Sequence, residues 1–161
     1  MALSDFILEL DSVKGESKDE KFAGHVEIQS FSWGLSNAGS HDRGTGGGSG
    51  KGSFQDLHFA KYVDLSSPTL ALKCATGEHI AKAVLHVRKA GGEQKEYYTV
   101  TLTDLIVSSF QASAGGGDSN VMDQVSLNFA KIEWDYKPQD EKGNLGASAT
   151  FGYDIKIGKK V

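Results

Sequence analysis

Apolar residues recur at every second position along most of this chain, and twice the recurrence changes phase inside one apolar run. Val26 and Ile28 share one parity, and Phe31, Trp33 and Leu35 the other; Val125, Leu127 and Phe129 give way to Ile132, Trp134 and Tyr136 in the same manner. Period two is the mark of strands with one buried face. A one-residue change of phase predicts a β-bulge, here between Ile28 and Phe31 and again near Ala130 and Lys131. Strands bent in this way favour a sheet that curls or closes over one that stays flat.

The remaining segments fit the same scheme. Phe6, Leu8 and Leu10 alternate in a first strand, and a polar loop follows from Lys14 to Lys21. Ser53 to Tyr62 alternates again, Ile80–Arg88 and Glu96–Phe110 flank Gly91-Gly92 as a hairpin, and Ala149 to Ile157 closes the chain with Ala149, Phe151, Tyr153, Ile155 and Ile157 on one face. One segment breaks the pattern. Ser66-Ser67-Pro68 offers a capping serine and a proline in the first turn, and Gly77 stands just past the end, so a short helix is predicted over Pro68 to Ala75. To be stable it must pack Leu70, Leu72 or Cys74 on the sheet. The expected fold is mainly β: seven or eight strands forming a small antiparallel β-barrel of two curled sheets, with one flanking helix and a long glycine-rich loop, as a single domain over 1–161.

Charge and composition narrow the chemistry. The 161 residues carry 17 basic and 21 acidic side chains, a net charge of −4, which argues against nucleic acid as a partner. No apolar run approaches the roughly 18 residues that cross a bilayer, and Met1 to Ser4 is too short for the apolar part of a signal peptide. The reading is a soluble protein made in the cytoplasm, without signal peptide or membrane insertion. Cys74 is the sole cysteine, which excludes an intrachain disulfide and a multi-cysteine metal site.

The search for catalytic groups is mostly eliminative. Gly44 to Gly52 resembles a phosphate-binding loop only at Gly50-Lys51; Thr45 and Gly52 stand where the motif needs glycine and a hydroxyl, and a strand follows instead of a helix. His25, His41, His58, His79 and His86 have no spacing that pairs two metal ligands on one face. His58 and His86 read as hydrogen-bonded strand histidines, Cys74 as a small packed hydrophobe, and Asp104 as a strand break or a hydrogen-bonded buried carboxylate. No catalytic site, cofactor or metal is expected. Trp33, Trp134 and Tyr136, just after the two phase changes, are positioned for strands that run on into a neighbour, and an oligomer is expected.

A resemblance runs through the chain in order. Val13 to Ser17, Ser30-Phe31-Ser32-Trp33-Gly34, Lys61-Tyr62-Val63-Asp64, Ser67-Pro68 to Ala75-Thr76-Gly77, Arg88 to Gly92, Val107-Ser108-Ser109 and Val125 to Ile132 together resemble the haemolysin-coregulated protein (Hcp) family of the type VI secretion system. The resemblance implies a structural subunit of the inner tube of Gram-negative bacteria. It implies homohexameric rings that stack, a contractile sheath and spike proteins as partners, and small secreted effectors carried in the lumen. Export by the same system to the extracellular space or a target cell is implied too.

It also implies roles for two sets of residues. The loop that holds Gly39, Ser40, His41, Asp42, Arg43, Gly44, Gly46, Gly47, Gly48, Gly50 and Lys51 occupies the place of the family's ring-stacking loop, and glycine-rich backbone fits closely against a neighbour at an entropic cost. It is expected to be mobile in a free ring and ordered in a stack. For the lumen the residues give only parity: Gln29, just before the phase change, and Ser30 and Ser32, opposite the face of Phe31 and Trp33, are candidates, with ordinary solvent-facing side chains as the other reading. A small-ligand-binding β-barrel is the alternative function, though Phe, Leu, Ile and Val suffice to fill the interior.

Overall fold

A computed structural model describes residues 4–38, 52–89 and 93–161. The chain runs β1 (Ser4–Leu10), β2 (Val26–Ile28), β3 (Ser30–Ser32), β4 (Leu35–Ser36), β5 (Ser53–Phe54), β6 (Leu57–Tyr62), α1 (Ser66–Thr76), β7 (Ile80–Lys89), β8 (Glu96–Ser113), β9 (Met122–Tyr136), β10 (Ala149–Asp154) and β11 (Lys159–Lys160). The strand count exceeds the expected seven or eight because several are two or three residues long. All pairings are antiparallel, and a nine-stranded sheet holds everything except the small β4–β5 pair.

The sheet has two halves that share its two long strands. In the larger half the order is β2-β1-β7-β8-β9-β10-β11, and in the smaller it is β3-β6-β9-β8. β7 leaves β8 at Leu105, opposite Ile80, and β10 leaves β9 at Lys131; β6 takes up β9 from Leu127 to Met122. The halves curl around one core that includes Leu8, Leu57, Phe59, Leu70, Leu85, Leu102, Leu127 and Ile132.

The predicted phase changes are present, but their cause differs from a bulge. At Gln29 the chain stops pairing with β1 and begins pairing with β6, and the Gln29 N–H donates to the Ala60 carbonyl at 2.7 Å. Near Ala130 and Lys131, β9 crosses from one half to the other with its register to β8 unbroken, Leu105 opposite Phe129 and Thr103 opposite Lys131. The buried parity of β8 changes at the same level, from Val100 and Leu102 to Leu105 and Val107. Asp104 sits at that point with φ 51°, a left-handed conformation in a strand, and accepts a hydrogen bond from His79 at 2.7 Å. It therefore marks a strand irregularity rather than a buried acid. An inserted residue would shift register; a matched turn in both strands re-aims the two faces together. The register shift that does occur in this ladder lies between Val107 and Ser109, where the sequence pattern did not place one.

The helix starts two residues earlier than expected and for a different reason. Asp64, one residue before the Leu65 cap, accepts the Ser66 N–H at 2.8 Å, while Ser67 Oγ accepts the Asp64 N–H at 3.0 Å. The reciprocal pair satisfies donors that a lone capping serine would leave free. Gly77 ends the helix at φ 70° and donates to the Lys73 carbonyl, the glycine cap the sequence announces. Leu70 is buried and Cys74 packs against the core, whereas Leu72 is exposed. The last predicted strand is shorter than Ala149 to Ile157: β10 ends at Asp154, and Ile157 is exposed in the turn that follows.

Candidate functional site

The smaller half of the sheet presents an uncharged outer face. Across its four strands Ser32 lies opposite His58, His58 opposite Ser126, and Ser126 opposite Ser109; the next row is Ser30, Ala60, Gln124 and Gln111. Alternation fixes this arrangement, because Phe31, Phe59 and Val125 turn to the core and their neighbours turn away. His58 Nδ1 and Ser126 Oγ are 2.6 Å apart, and the Ser109 hydroxyl donates to Ser126 Oγ at 2.7 Å, so one row is stitched across three strands. At one end Asp56 accepts hydrogen bonds from Ser108 Oγ at 2.6 Å and Asn128 Nδ2 at 2.8 Å, which ties down the nearest formal charge. Short hydroxyls and amides can hydrogen-bond passing polar surface weakly, and they offer no charge or deep pocket to hold it.

Ser30 and Ser32 are thus brought together on this face, both exposed. Gln29 is exposed as well, but it lines a separate cleft with Asp5, Asp19, Glu27 and Arg88. The residues from Gly39 to Lys51 singled out for ring stacking lie outside the described residues. Trp33 and Trp134 pack against each other, with their rings edge-on and centroids 5.8 Å apart, the Trp33 indole N–H donates to the Tyr98 hydroxyl at 2.8 Å, and Tyr136 is exposed. The two half-buried indoles thus share one apolar contact at the edge of the core.

Behind the face is a buried polar anchor. Lys61, fully buried on β6, donates its ammonium protons to Asp64 Oδ1 and Asp123 Oδ2, each at 2.8 Å, and to Ser67 Oγ at 2.9 Å. The Ser67 hydroxyl donates in turn to Asp123. The network joins β6, β9 and the start of α1, and every member has a partner, the condition under which buried charge is tolerated. The sequence does carry its signal. Lys61 continues the buried parity of Leu57 and Phe59, and Asp123 that of Val125 and Leu127, so two opposite charges stand on core positions of paired strands.

A second cluster fastens the β1–β2 loop over the outside of the larger half. Phe22 is buried against His86, centroids 4.5 Å apart, with the Arg88 guanidinium 5.1 Å from its ring. Arg88 donates to Asp19 at 2.7 Å, and this pairing holds the Asp19 carboxyl below its ordinary range. Gly15 lies against the His25 backbone so closely that a Cβ would meet its carbonyl oxygen at 2.4 Å. His86 Nδ1 is 2.6 Å from Glu96 and Nε2 is 3.1 Å from Glu9. Burial opposes the charged imidazole, but hydrogen bonds to the two glutamates outweigh it and raise the pKa above 6.5. Burial likewise opposes the Glu96 carboxylate, and the His86 and Thr99 hydrogen bonds outweigh it in the other direction.

His86 thus stabilises the fold fully below pH about 6.5, its ordinary value, and loses that contribution as pH rises through its raised folded value. The expected result is a melting temperature that falls as the pH is raised above 6.5 at fixed protein concentration. His86→Gln should flatten that slope; a slope unchanged by the substitution would remove His86 as its source.

Among the described residues no group of three or more His, Cys, Asp or Glu is placed to hold a metal, and no helix is long and apolar enough to cross a membrane. The family model described as "Type VI secretion system effector, Hcp" matches residues 7–136. The chain is 42% identical over 154 residues to "Protein hcp1" of Pseudomonas aeruginosa strain PAO1, covering 94% of this chain and 95% of that protein. Two solved structures resemble it over almost their whole lengths. One, described as a type six secretion system protein, superposes with a TM-score of 0.91 at 29% identity, covering 98% of this chain and 99% of the other. The crystal structure of Hcp1 from Salmonella typhimurium does so with a TM-score of 0.81 at 32% identity, covering 99% and 100%. With sequence and fold in agreement along the chain, the protein belongs to the Hcp family and is a tube protein of the type VI secretion system.

Proposed function

We propose that this chain is a non-enzymatic building unit that closes into hexameric rings, with the uncharged face of Ser30, Ser32, His58, Gln111 and Gln124 turned to the lumen and Gln29 at its margin. The observation that carries the proposal is a pair of open strand edges flanking that face. β8 beyond Leu105 pairs with β9 alone, and β3 pairs with β6 alone, among the described residues. Exposed edges are normally blunted by charge, above all lysine. Here no charged residue occurs from Leu105 to Gly117, or from Gln29 to Ala38. Two different unprotected edges on one sheet suit head-to-tail pairing, and a head-to-tail contact that closes makes a ring.

A lumen built this way touches cargo through hydroxyls and amides and lets it slide, which suits small effectors that must be released at the far end. Stacking of rings through the Gly39–Lys51 loop, the sheath and spike partners, and export with the tube belong to the same proposal, as does folding of 1–161 as a single domain. The net charge of −4 on each subunit multiplies in a ring, so free rings repel at low ionic strength and stay discrete until a template or sheath gathers them. Sedimentation together with negative-stain images tests the reading. The expected result is a sixfold annulus with a central hole; a species that remains a monomer at every concentration would refute it. A small-ligand barrel gains no support, since the interior is filled by the aliphatic and aromatic core.

A further inference from the structure

The helix α1 is turned the wrong way round for a helix that faces water. Leu65, at its cap, and Pro68, Leu72 and Ala75 are exposed at helical spacing, with Leu65 at 66% and Leu72 at 62%. The inward side holds Leu70 and the partly buried Cys74 together with the polar Ser66, Ser67 and Lys73, which are buried. A helix on the surface of a lone domain carries its apolar stripe inward. Next to the stripe lie Val63 and Val121, both exposed and joined by a backbone hydrogen bond of 2.9 Å. No charged residue falls between Leu65 and Leu72.

We propose that this stripe is a contact surface for a second copy of the chain, the neighbour in the same ring, and that Leu35 of that copy seats on it. The inference rests on the ring proposed above and adds a surface to it. Three observations select a second copy over another partner. α1 packs on β8, the strand whose open edge is available to a neighbour, so whatever pairs there arrives beside the helix. The complementary open edge, β3, is followed within three residues by Leu35, 47% exposed and apolar. The segments 65–72 and 29–38 carry no charged residue in a chain of which 24% is charged, and the Glu16 carboxylate accepts the Leu65 N–H at 3.3 Å at the margin of the stripe; this is the pattern of an apolar contact with a polar rim.

The closing experiment compares four proteins by sedimentation: wild type, Leu72→Lys, Leu35→Glu, and the two substitutions combined. Both positions are exposed and lysine suits a helix, so the subunit fold, followed by circular dichroism, is expected to persist. Each single variant should raise the midpoint concentration of ring assembly by roughly 100-fold, as truncation of a central interface residue does. The combined variant should recover at least about tenfold of that loss by pairing the new charges. Wild-type rings with unaffected single variants would overturn the inference and leave the ring standing. Weakening without recovery in the combined variant would show that another surface covers the stripe, and overturns it too. A wild type that never assembles would remove the ring and this contact together.

Discussion

Lys61→Met should lower the melting temperature by about 10 °C. The substitution removes the cation from a site where Asp123 is 1% exposed, and leaves that carboxylate without its charge partner. Breaking a buried pair from one side costs about 3–5 kcal/mol, and in a chain of this size each kcal/mol moves the transition by about 2–4 °C. Ser67 would still donate to Asp123, but a hydroxyl does not replace a charge. Combining Lys61→Met with Asp123→Leu should recover part of the loss, because an apolar pair needs no partner, while the buried Ser67 hydroxyl loses its acceptor. Thermal unfolding at one fixed protein concentration reads both effects, a precaution that assembly makes necessary. A single variant as stable as the parent would mean that the network tying β6, β9 and α1 together contributes nothing to the fold.

The second large effect concerns assembly and tests where the uncharged face points. Ser109→Lys combined with Gln111→Lys adds two cations to the face at the open edge of β8, where both side chains are exposed in the subunit. At the open edge of β8 they would blunt strand pairing wherever the face points, so the part of the effect that salt relieves is the part that reads the lumen. Around a closed lumen they repeat in every copy at short range, and the repulsion acts across the hole. At about 10 mM salt the Debye length is about 30 Å, and at 0.15 M it is about 8 Å. The doubly substituted chain should therefore assemble roughly 100-fold more weakly than the parent at low salt and approach it at high salt. The neutral pair Ser109→Asn and Gln111→Asn serves as the control for shape. Weakening that stays the same from low to high salt would place this face away from a closed lumen.

These outcomes separate the two kinds of information in the chain. The alternation of Val26 and Ile28, and of Ile132 and Trp134, gives strand identity and the buried side, because side-chain direction in a strand is a local property of the backbone. Gly77 ends the helix where expected, since only the left-handed conformation is needed and glycine adopts it without strain. Ser30 and Ser32 emerge on the outer face for the same local reason, opposite Phe31.

What alternation leaves open is the partner. The phase change at Gln29 is visible in the residues, but a bulge and a transfer from β1 to β6 give the same local pattern, and only the pairing of Ser30 with Ala60 tells them apart. Trp33 and Trp134 look equally suited to a strand end or a core until their rings are seen to meet. Asp104 is a backbone device: its own pair is missing from both neighbouring ladders while the register continues across it, and its φ is 51°.

Local order, then, was written in the chain: which segments extend, which one coils, where glycine ends the coil, and which side of each strand avoids water. The three-dimensional fold alone decided that Lys61 meets Asp123, that two edges stay open beside a charge-free face, and that α1 shows water its apolar side. Contacts of this kind join residues far apart in sequence, and which of them form depends on how the two sheet halves share β8 and β9. No periodicity in a single segment can encode that choice, since each strand carries the same signal whichever neighbour it takes.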